Sequence, residues 1–258
     1  MDNGGTMKNI WQRGEVATGL WCVLGDPVAI EMAGRAGFDY VCVDLQHGFA
    51  TWEGLPGILR ALRLTPTCGI VRVPANDPAL IMRALDLGAT GIIVPLVEDS
   101  DSAARAVSAC RYPTSRPGAV GGSRSFGPLW ADLDGVQDAE RTSDQVLCIV
   151  QIETDRGYQN VEEILSTPGI DAGYIGPNDL SLSSGFGAAA FPGSVQLDTR
   201  IQHIIDAGVR AGVVVGMHCS SAEMVVYWRE RGARMLTTGT DTGVIKNAFG
   251  GLAQATRA

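Results

Sequence analysis

Two runs decide how this chain is read: VLCIVQIE (146–153) and AGYIGPND (172–179). Each is apolar, has the length of a strand, and stops at a carboxylate, Glu153 in one and Asp179 in the other. Runs of that kind suit a parallel sheet covered on both faces. In parallel α/β folds, function collects at the C-terminal ends of the strands, where loops vary without disturbing the core. Two carboxylates at the mouths of successive strands lie close enough to share one hard divalent cation.

The same pattern extends in both directions. TGLWCV (18–23), YVCVD (40–44), GIVRVP (69–74), GIIVPLV (91–97), VVVGM (213–217) and RMLTTGTD (234–241) also read as strands, with GYIGPND (173–179) as the sixth of eight. Amphipathic segments such as DPALIMRALDLG and SSAEMVVYWRERG separate them. Asp26 and Asp77 each precede a proline where a helix begins, and Gly37, Gly88, Gly212 and Gly232 stand where helices end. Eight strand–helix units in 258 residues predict a (β/α)8 TIM barrel as a single domain over 1–258. Residues 113–145 break the rhythm. They contain RPGAVGGSRSFG (116–127), Trp130 and an acidic tail, and predict an irregular insertion that serves a pocket, an interface or merely the surface.

The formal charge of −8 argues against nucleic acid or an anionic membrane surface as partner. No apolar run reaches the ~18–20 residues of a spanning helix, and the first residues carry no apolar core of a signal peptide, so the expected location is the cytoplasm. Cys22, Cys42, Cys68, Cys110, Cys148 and Cys219 are dispersed without CxxC spacing, which predicts buried thiols in a reducing compartment. Cys219, near a strand end, is the one to check for reactivity.

The residue types narrow the chemistry. The only lysines, Lys8 and Lys246, sit at no strand mouth, so a Schiff base has no nucleophile. There is no GxSxG elbow, and His47, His203 and His218 are too scattered for a histidine zinc site. What remains is a carboxylate-held metal with arginine. Asp44 ends the second strand with His47 three residues on, Arg72 lies within the third, and Glu153 and Asp179 end the fifth and sixth. Each has a plain structural reading. Arg72 can pair with Asp44, His47 can be a surface loop residue, Asp179 can cap a helix, and both carboxylates can bridge to Arg156. Their coincidence at one barrel face favours function, since an isolated ion is costly to bury.

GFDYVCVDLQHG, VRVP, RALDLGATGIIVPLV, QIET and GPNDLS, in that order, resemble the metal-dependent (class II) pyruvate aldolases. That family includes 4-hydroxy-2-oxoheptanedioate aldolase and 2-keto-3-deoxy sugar-acid aldolases. The resemblance runs from about Gly19 to Thr242. It implies a (β/α)8 barrel of the phosphoenolpyruvate/pyruvate-domain type, in a homo-oligomer that is usually a hexamer with helix exchange. It further implies Glu153 and Asp179 as ligands of Mg2+, Mn2+ or Co2+, and Gln151 as a contact to bound pyruvate. The backbone at Asn178 and Asp179 would meet the substrate carboxylate, although Asn178 departs from the small residue usual there. By the same resemblance His47 is the acid/base, Asp86 raises its basicity, Asp44 helps to orient the same site, and Arg72 stabilises the enolate oxygen; Trp21 either lines the aldehyde pocket or is a core aromatic.

The implied reaction is reversible aldol cleavage of a 4-hydroxy-2-oxo acid to pyruvate and an aldehyde. It needs a base for the C4 hydroxyl and a sink for the released electrons, which a Lewis-acidic cation and a permanently charged arginine supply. Oxaloacetate decarboxylation and cleavage of a CoA ester are alternatives on the same platform, and a non-catalytic oxo-acid-binding barrel is a more distant one. GTDTG (239–243) would suit a phosphate-binding barrel, but that reading leaves the paired carboxylates unexplained. His218, in GMHCSS (216–221), either contacts a polar aldehyde or caps local backbone.

Overall fold

β1 (Ala17–Cys22), β2 (Tyr40–Asp44), β3 (Cys68–Arg72), β4 (Gly91–Val94), β5 (Leu147–Ile152), β6 (Ala172–Ile175), β7 (Val214–His218) and β8 (Met235–Thr240) pair in chain order, and β8 returns to β1. All eight pairings are parallel, so the sheet closes into the expected barrel. The structure is a computed structural model that describes residues 3–113, 119–121, 139–187 and 194–257. Most of the insertion, including Trp130, lies outside the described residues. Its last part, Ala139–Gln145, is helical rather than irregular.

The helices return the chain from the top of each strand to the foot of the next. They are α2 (Pro27–Arg35), α3 (Leu55–Arg63), α4 (Pro78–Asp86), α5 (Ser100–Cys110), α6 (Ala139–Gln145), α7 (Asp155–Gln159), α8 (Val161–Leu165), α9 (Pro177–Ser183), α10 (Val195–Ala211), α11 (Ala222–Glu230) and α12 (Asp241–Ala255). Asp26 and Asp77 cap α2 and α4 by accepting from Ala29 N and Ala79 N, with proline at the first helical position of each. Gly37, Gly88, Gly212 and Gly232 all take positive φ. An additional helix, α1 (Asn3–Gln12), had no counterpart in the sequence reading. It buries Met7 and Ile10 beneath the barrel, against Ile70, Leu147 and Met235.

Because side chains alternate along a strand, every second residue enters the barrel. Ala17 and Trp21, Tyr40 and Cys42, Cys68 and Ile70, Leu147 and Ile149, and Ala172 and Tyr174 form this inner core. A larger core of Val, Ile and Leu lies between barrel and helices. Inside, the hydroxyls of Tyr40 and Tyr174 meet Thr237 Oγ1 at 2.8 and 2.6 Å, so these three buried hydroxyls are paired. Gly19 makes room for Tyr40: a β-carbon there would stand 2.3 Å from the ring. No helix among the described residues is long and apolar enough to cross a membrane.

Two strands end three or more residues earlier than the sequence suggests, and both endings shape the barrel mouth. β6 stops at Ile175, and Pro177 opens α9, so Asp179 sits in the first turn of a helix rather than on a strand. Proline has no amide to continue the ladder, while its φ suits a helix start. β4 stops at Val94, and Leu96 is the single non-glycine among the described residues with positive φ, at 53°. That conformation costs an L-residue about 1–2 kcal/mol, and the site shows what it achieves.

Candidate active site

The inward parity of the strands carries its polar residues to the C-terminal mouth. Asp44 ends β2 and stands opposite Arg72 in the β2–β3 register. Arg72 donates from Nε to Asp44 Oδ1 at 2.9 Å and from Nη2 to Oδ2 at 2.6 Å. Both side chains are nearly closed to solvent, at 3% and 8% exposure, so the pair is buried and two-pronged. Asp44 also accepts from Trp21 Nε1 at 3.2 Å and from the amides of Gln46 and His47 at 3.0 and 3.2 Å. Burial pushes the Asp44 carboxyl up, but the bonds from Arg72 outweigh it and hold the group below the usual carboxylate range. Asp44 therefore has a larger part than the sequence assigned to it.

Trp21 joins these groups into a wall. Its ring lies 4.9 Å from the Arg72 guanidinium, stacks on Tyr174 at 5.5 Å between centroids, and meets the edge of His218 at 6.1 Å. His218 ends β7 half-buried. Burial, followed by the charge of Arg72, lowers its pKa to about 4, so the imidazole is neutral near neutral pH. Tyr174 was absent from the sequence expectations, and His218 was left without a settled role. Counting every second residue back from Gly176 and along VVVGMH would have placed both on the inner face.

The second half of the site follows β5. Gln151 and Glu153 are buried, and Gln151 Nε2 donates to Glu153 Oε2 at 2.7 Å. The other carboxylate oxygen accepts from the amide of Leu96 at 2.9 Å. The unusual backbone at Leu96 thus supplies a donor that a continuing strand would have committed elsewhere. Burial raises the Glu153 carboxyl to about 7, partly offset by that amide and reinforced by the neighbouring charge of Asp179. Asp179 itself is exposed, as is Asn178. Gly176 lies beside them, and a β-carbon on it would fall 2.8 Å from both Gln151 Nε2 and Glu153 Oε2.

These features fit a divalent cation. The charge of Asp179 stands near enough to add to the burial that raises Glu153, and Gln151 Oε1 is buried without a hydrogen-bond partner among the described residues. Arg156 does not bridge the two carboxylates. It is turned away to Asp99 at 2.6 Å and Glu98 at 3.9 Å. Among the described residues no group of three or more His, Cys, Asp or Glu side chains converges on a metal position.

One expected pairing does not form within the chain. His47 is exposed in the loop above β2, whereas Asp86 is the last residue of α4. That helix runs back to the foot of β4, so its C-terminal end lies at the opposite face of the barrel from His47. Motif order along the chain says nothing about which end of the barrel a residue reaches. Arg72, Gln151, Glu153, Asp179 and the backbone of His47 do come to one face. Cys219 is buried and its thiol is pushed up to about 12 by burial, which argues against a reactive role.

A family model described as HpcH/HpaI aldolase/citrate lyase matches residues 17–248. The chain is 33% identical over 242 residues to the 5-keto-4-deoxy-D-glucarate aldolase of Klebsiella pneumoniae subsp. pneumoniae, covering 93% of this chain and 92% of that protein. It is 35% identical over 237 residues to the 2-dehydro-3,6-dideoxy-6-sulfogluconate aldolase of Pseudomonas putida, covering 91% and 90%. Among solved structures, an HpcH/HpaI aldolase/citrate lyase family protein from Burkholderia cenocepacia superposes with a TM-score of 0.90 at 32% identity, over 99% of this chain and all of that one.

Proposed function

The chain belongs to the HpcH/HpaI aldolase/citrate lyase family, and from that premise we propose that this carbon–carbon lyase cleaves a 4-hydroxy-2-oxo acid reversibly to pyruvate and an aldehyde at the barrel mouth. The observation that carries the site assignment is the carboxylate pair, Glu153 and Asp179, beside the Asp44-clamped Arg72. Glu153 and Asp179 would hold Mg2+, Mn2+ or Co2+. When bound, the cation supplies Lewis acidity toward the carbonyl of the 2-oxo acid.

The chain's own groups do the rest. Arg72 is held by Asp44 and cannot lose its charge, so it offers a pre-aligned donor to the oxygen on which negative charge develops. Gln151 orients Glu153 through its amide nitrogen, and its carbonyl oxygen is left to accept from a hydroxyl or water at the substrate. The amides of Asn178 and Asp179, in the first turn of α9, face the substrate carboxylate. His47 takes the proton of the C4 hydroxyl, its backbone anchored by Asp44. Asp86 has no part in this arrangement within one chain. Trp21 and His218 wall the aldehyde side.

A homo-oligomer, by family resemblance a hexamer, is supported by α12. Val244, Phe249 and Leu252 are 58%, 68% and 66% exposed on a helix that also contains Gly243, Gly250 and Gly251. Such a helix gains little from propensity and needs packing on another surface. A cytoplasmic location is supported by six free cysteines, all buried.

The test is pyruvate release from 4-hydroxy-2-oxo acids, coupled to lactate dehydrogenase, after EDTA treatment and after restoring Mg2+, Mn2+ or Co2+. Oxaloacetate is run in parallel. Cation-dependent release that disappears in Glu153→Gln and Asp179→Asn is the expected result. Release from oxaloacetate alone would favour the decarboxylase, and release unaffected by EDTA would remove the cation from the reaction.

A further inference from the structure

Glu153 and Asp179 come from different segments, and a shared ligand needs them at a set separation. The segment after Glu153 is braced on its β4 side. Arg156 bonds Asp99 at 2.6 Å, Asn160 Nδ2 donates to the Glu98 carbonyl at 2.8 Å, and Leu96 N donates to Glu153 itself at 2.9 Å. On its β6 side the brace comes from α10. Arg200 Nη1 donates to Asp155 Oδ1, two residues beyond Glu153, and to Ser184 Oγ at 2.9 Å, the residue that ends the helix bearing Asp179. The Asp155 amide adds a bond to Ser183 Oγ at 2.8 Å.

The guanidinium is itself tightly held. It packs against the Tyr158 ring at 4.4 Å and the Phe186 ring at 5.1 Å, and the side chain is 21% exposed. Tyr158 belongs to α7, behind Glu153, and Phe186 follows α9, so the stacking joins the same two segments as the hydrogen bonds. A surface ion pair alone would contribute little, but a planar cation packed against two aromatic rings and hydrogen-bonded to both segments ties them together.

We propose that Arg200 is a positioning residue for the carboxylate pair: by holding Asp155 and Ser184 on one guanidinium packed against two aromatic rings, it sets the separation of Glu153 and Asp179. The inference rests on those two carboxylates binding the cation, as proposed above. Groups that orient metal ligands commonly change metal affinity by about 10–100-fold when removed, and Arg200 acts one step further out.

The experiment is Mn2+ titration of the full-length protein by calorimetry, with circular dichroism to verify folding. Arg200→Met is expected to weaken Mn2+ binding about tenfold, at the low end of the outer-shell range. Arg200→Lys, which keeps charge but loses the planar face, falls between it and wild type. Arg210→Ala is the control, because Arg210 on the same helix pairs with Glu162 in α8 and bonds neither Asp155 nor Ser184. It should leave Mn2+ affinity unchanged even if thermal stability drops. If Arg200→Met does not fold, Ser184→Ala and Arg200→Lys carry the test, each expected to weaken binding several-fold. Unchanged affinity in folded Arg200 variants overturns the positioning role while leaving the cation site intact. A wild type that binds no Mn2+, or binds it equally after Glu153→Gln and Asp179→Asn, overturns the metal reading and this inference with it.

Discussion

Asp44 and Arg72 face each other across the β2–β3 register and are joined by two near-parallel bonds of 2.9 and 2.6 Å. The carboxylate also receives the Trp21 indole and the amide of His47, so one side chain aligns the guanidinium, an aromatic wall and the loop of the proposed base. Lysine cannot reproduce the fork. Arg72→Lys is expected to lower the rate of pyruvate release by about 10²–10³-fold, the usual cost of a lost charge-stabilising donor. A loss below about fivefold in steady-state kinetics would take Arg72 out of that role. Asp44→Ala has a different signature. It strands a buried guanidinium and should cost about 3–5 kcal/mol in urea denaturation.

Gly176 is where the backbone must approach the carboxylate. A β-carbon would sit 2.8 Å from Glu153 Oε2 and Gln151 Nε2, so Gly176→Ala must push one of them aside. The expected outcome is Mn2+ affinity reduced about 10–100-fold with the fold retained. Calorimetry showing wild-type affinity would mean that the carboxylate is free to shift without consequence.

Glu153 makes the cation's stabilising effect depend on pH. Its folded pKa, raised to about 7 by burial, lies above the ordinary carboxylate value, so without metal its contribution is fully present at low pH and is lost as pH rises through about 7. A bound cation compensates the ionised form, whereas a proton competes with it. Mn2+ should therefore raise the melting temperature more near pH ~8 than near pH ~5.5. Glu153→Gln should abolish that difference, and equal shifts at both pH values in wild type would contradict the assignment.

His218 contributes with the opposite sign. Its folded pKa of about 4 lies below the ~6.5 of an unfolded histidine, so between those values only the unfolded chain takes up the proton. The penalty is absent above ~6.5 and grows as pH falls toward about 4. His218→Asn should flatten the loss of stability over that window in chemical denaturation. Parallel stability curves for variant and wild type would show that the imidazole is solvated.

Much of the fold was legible because its causes are local. Eight apolar runs at even spacing, aspartates before prolines and glycines after helices each act over a few residues, and the barrel follows from their repetition. α1 was missed because MDNGGTMKNIWQRG has little helical signal of its own. The helix exists because Met7 and Ile10 close the foot of the barrel. At the proposed site, Glu153, Asp179, Arg72 and His47 were legible as polar residues at the close of apolar runs or just beyond, a signal carried by short stretches. Leu96, Gly176, Tyr174 and Arg200 carry no such mark, since each matters only through a neighbour distant in the chain.

The sequence by itself determined a parallel (β/α)8 barrel, the family to which it belongs, and which carboxylates, arginine and histidine reach the mouth of a strand. Only the tertiary structure decided that Asp44 clamps Arg72, that Leu96 turns its amide to Glu153, and that Asp86 stands at the opposite face from His47. The division has one physical reason. Alternation and capping are written within a few residues, whereas a contact across the barrel depends on register and helix direction, which exist only once the sheet has closed.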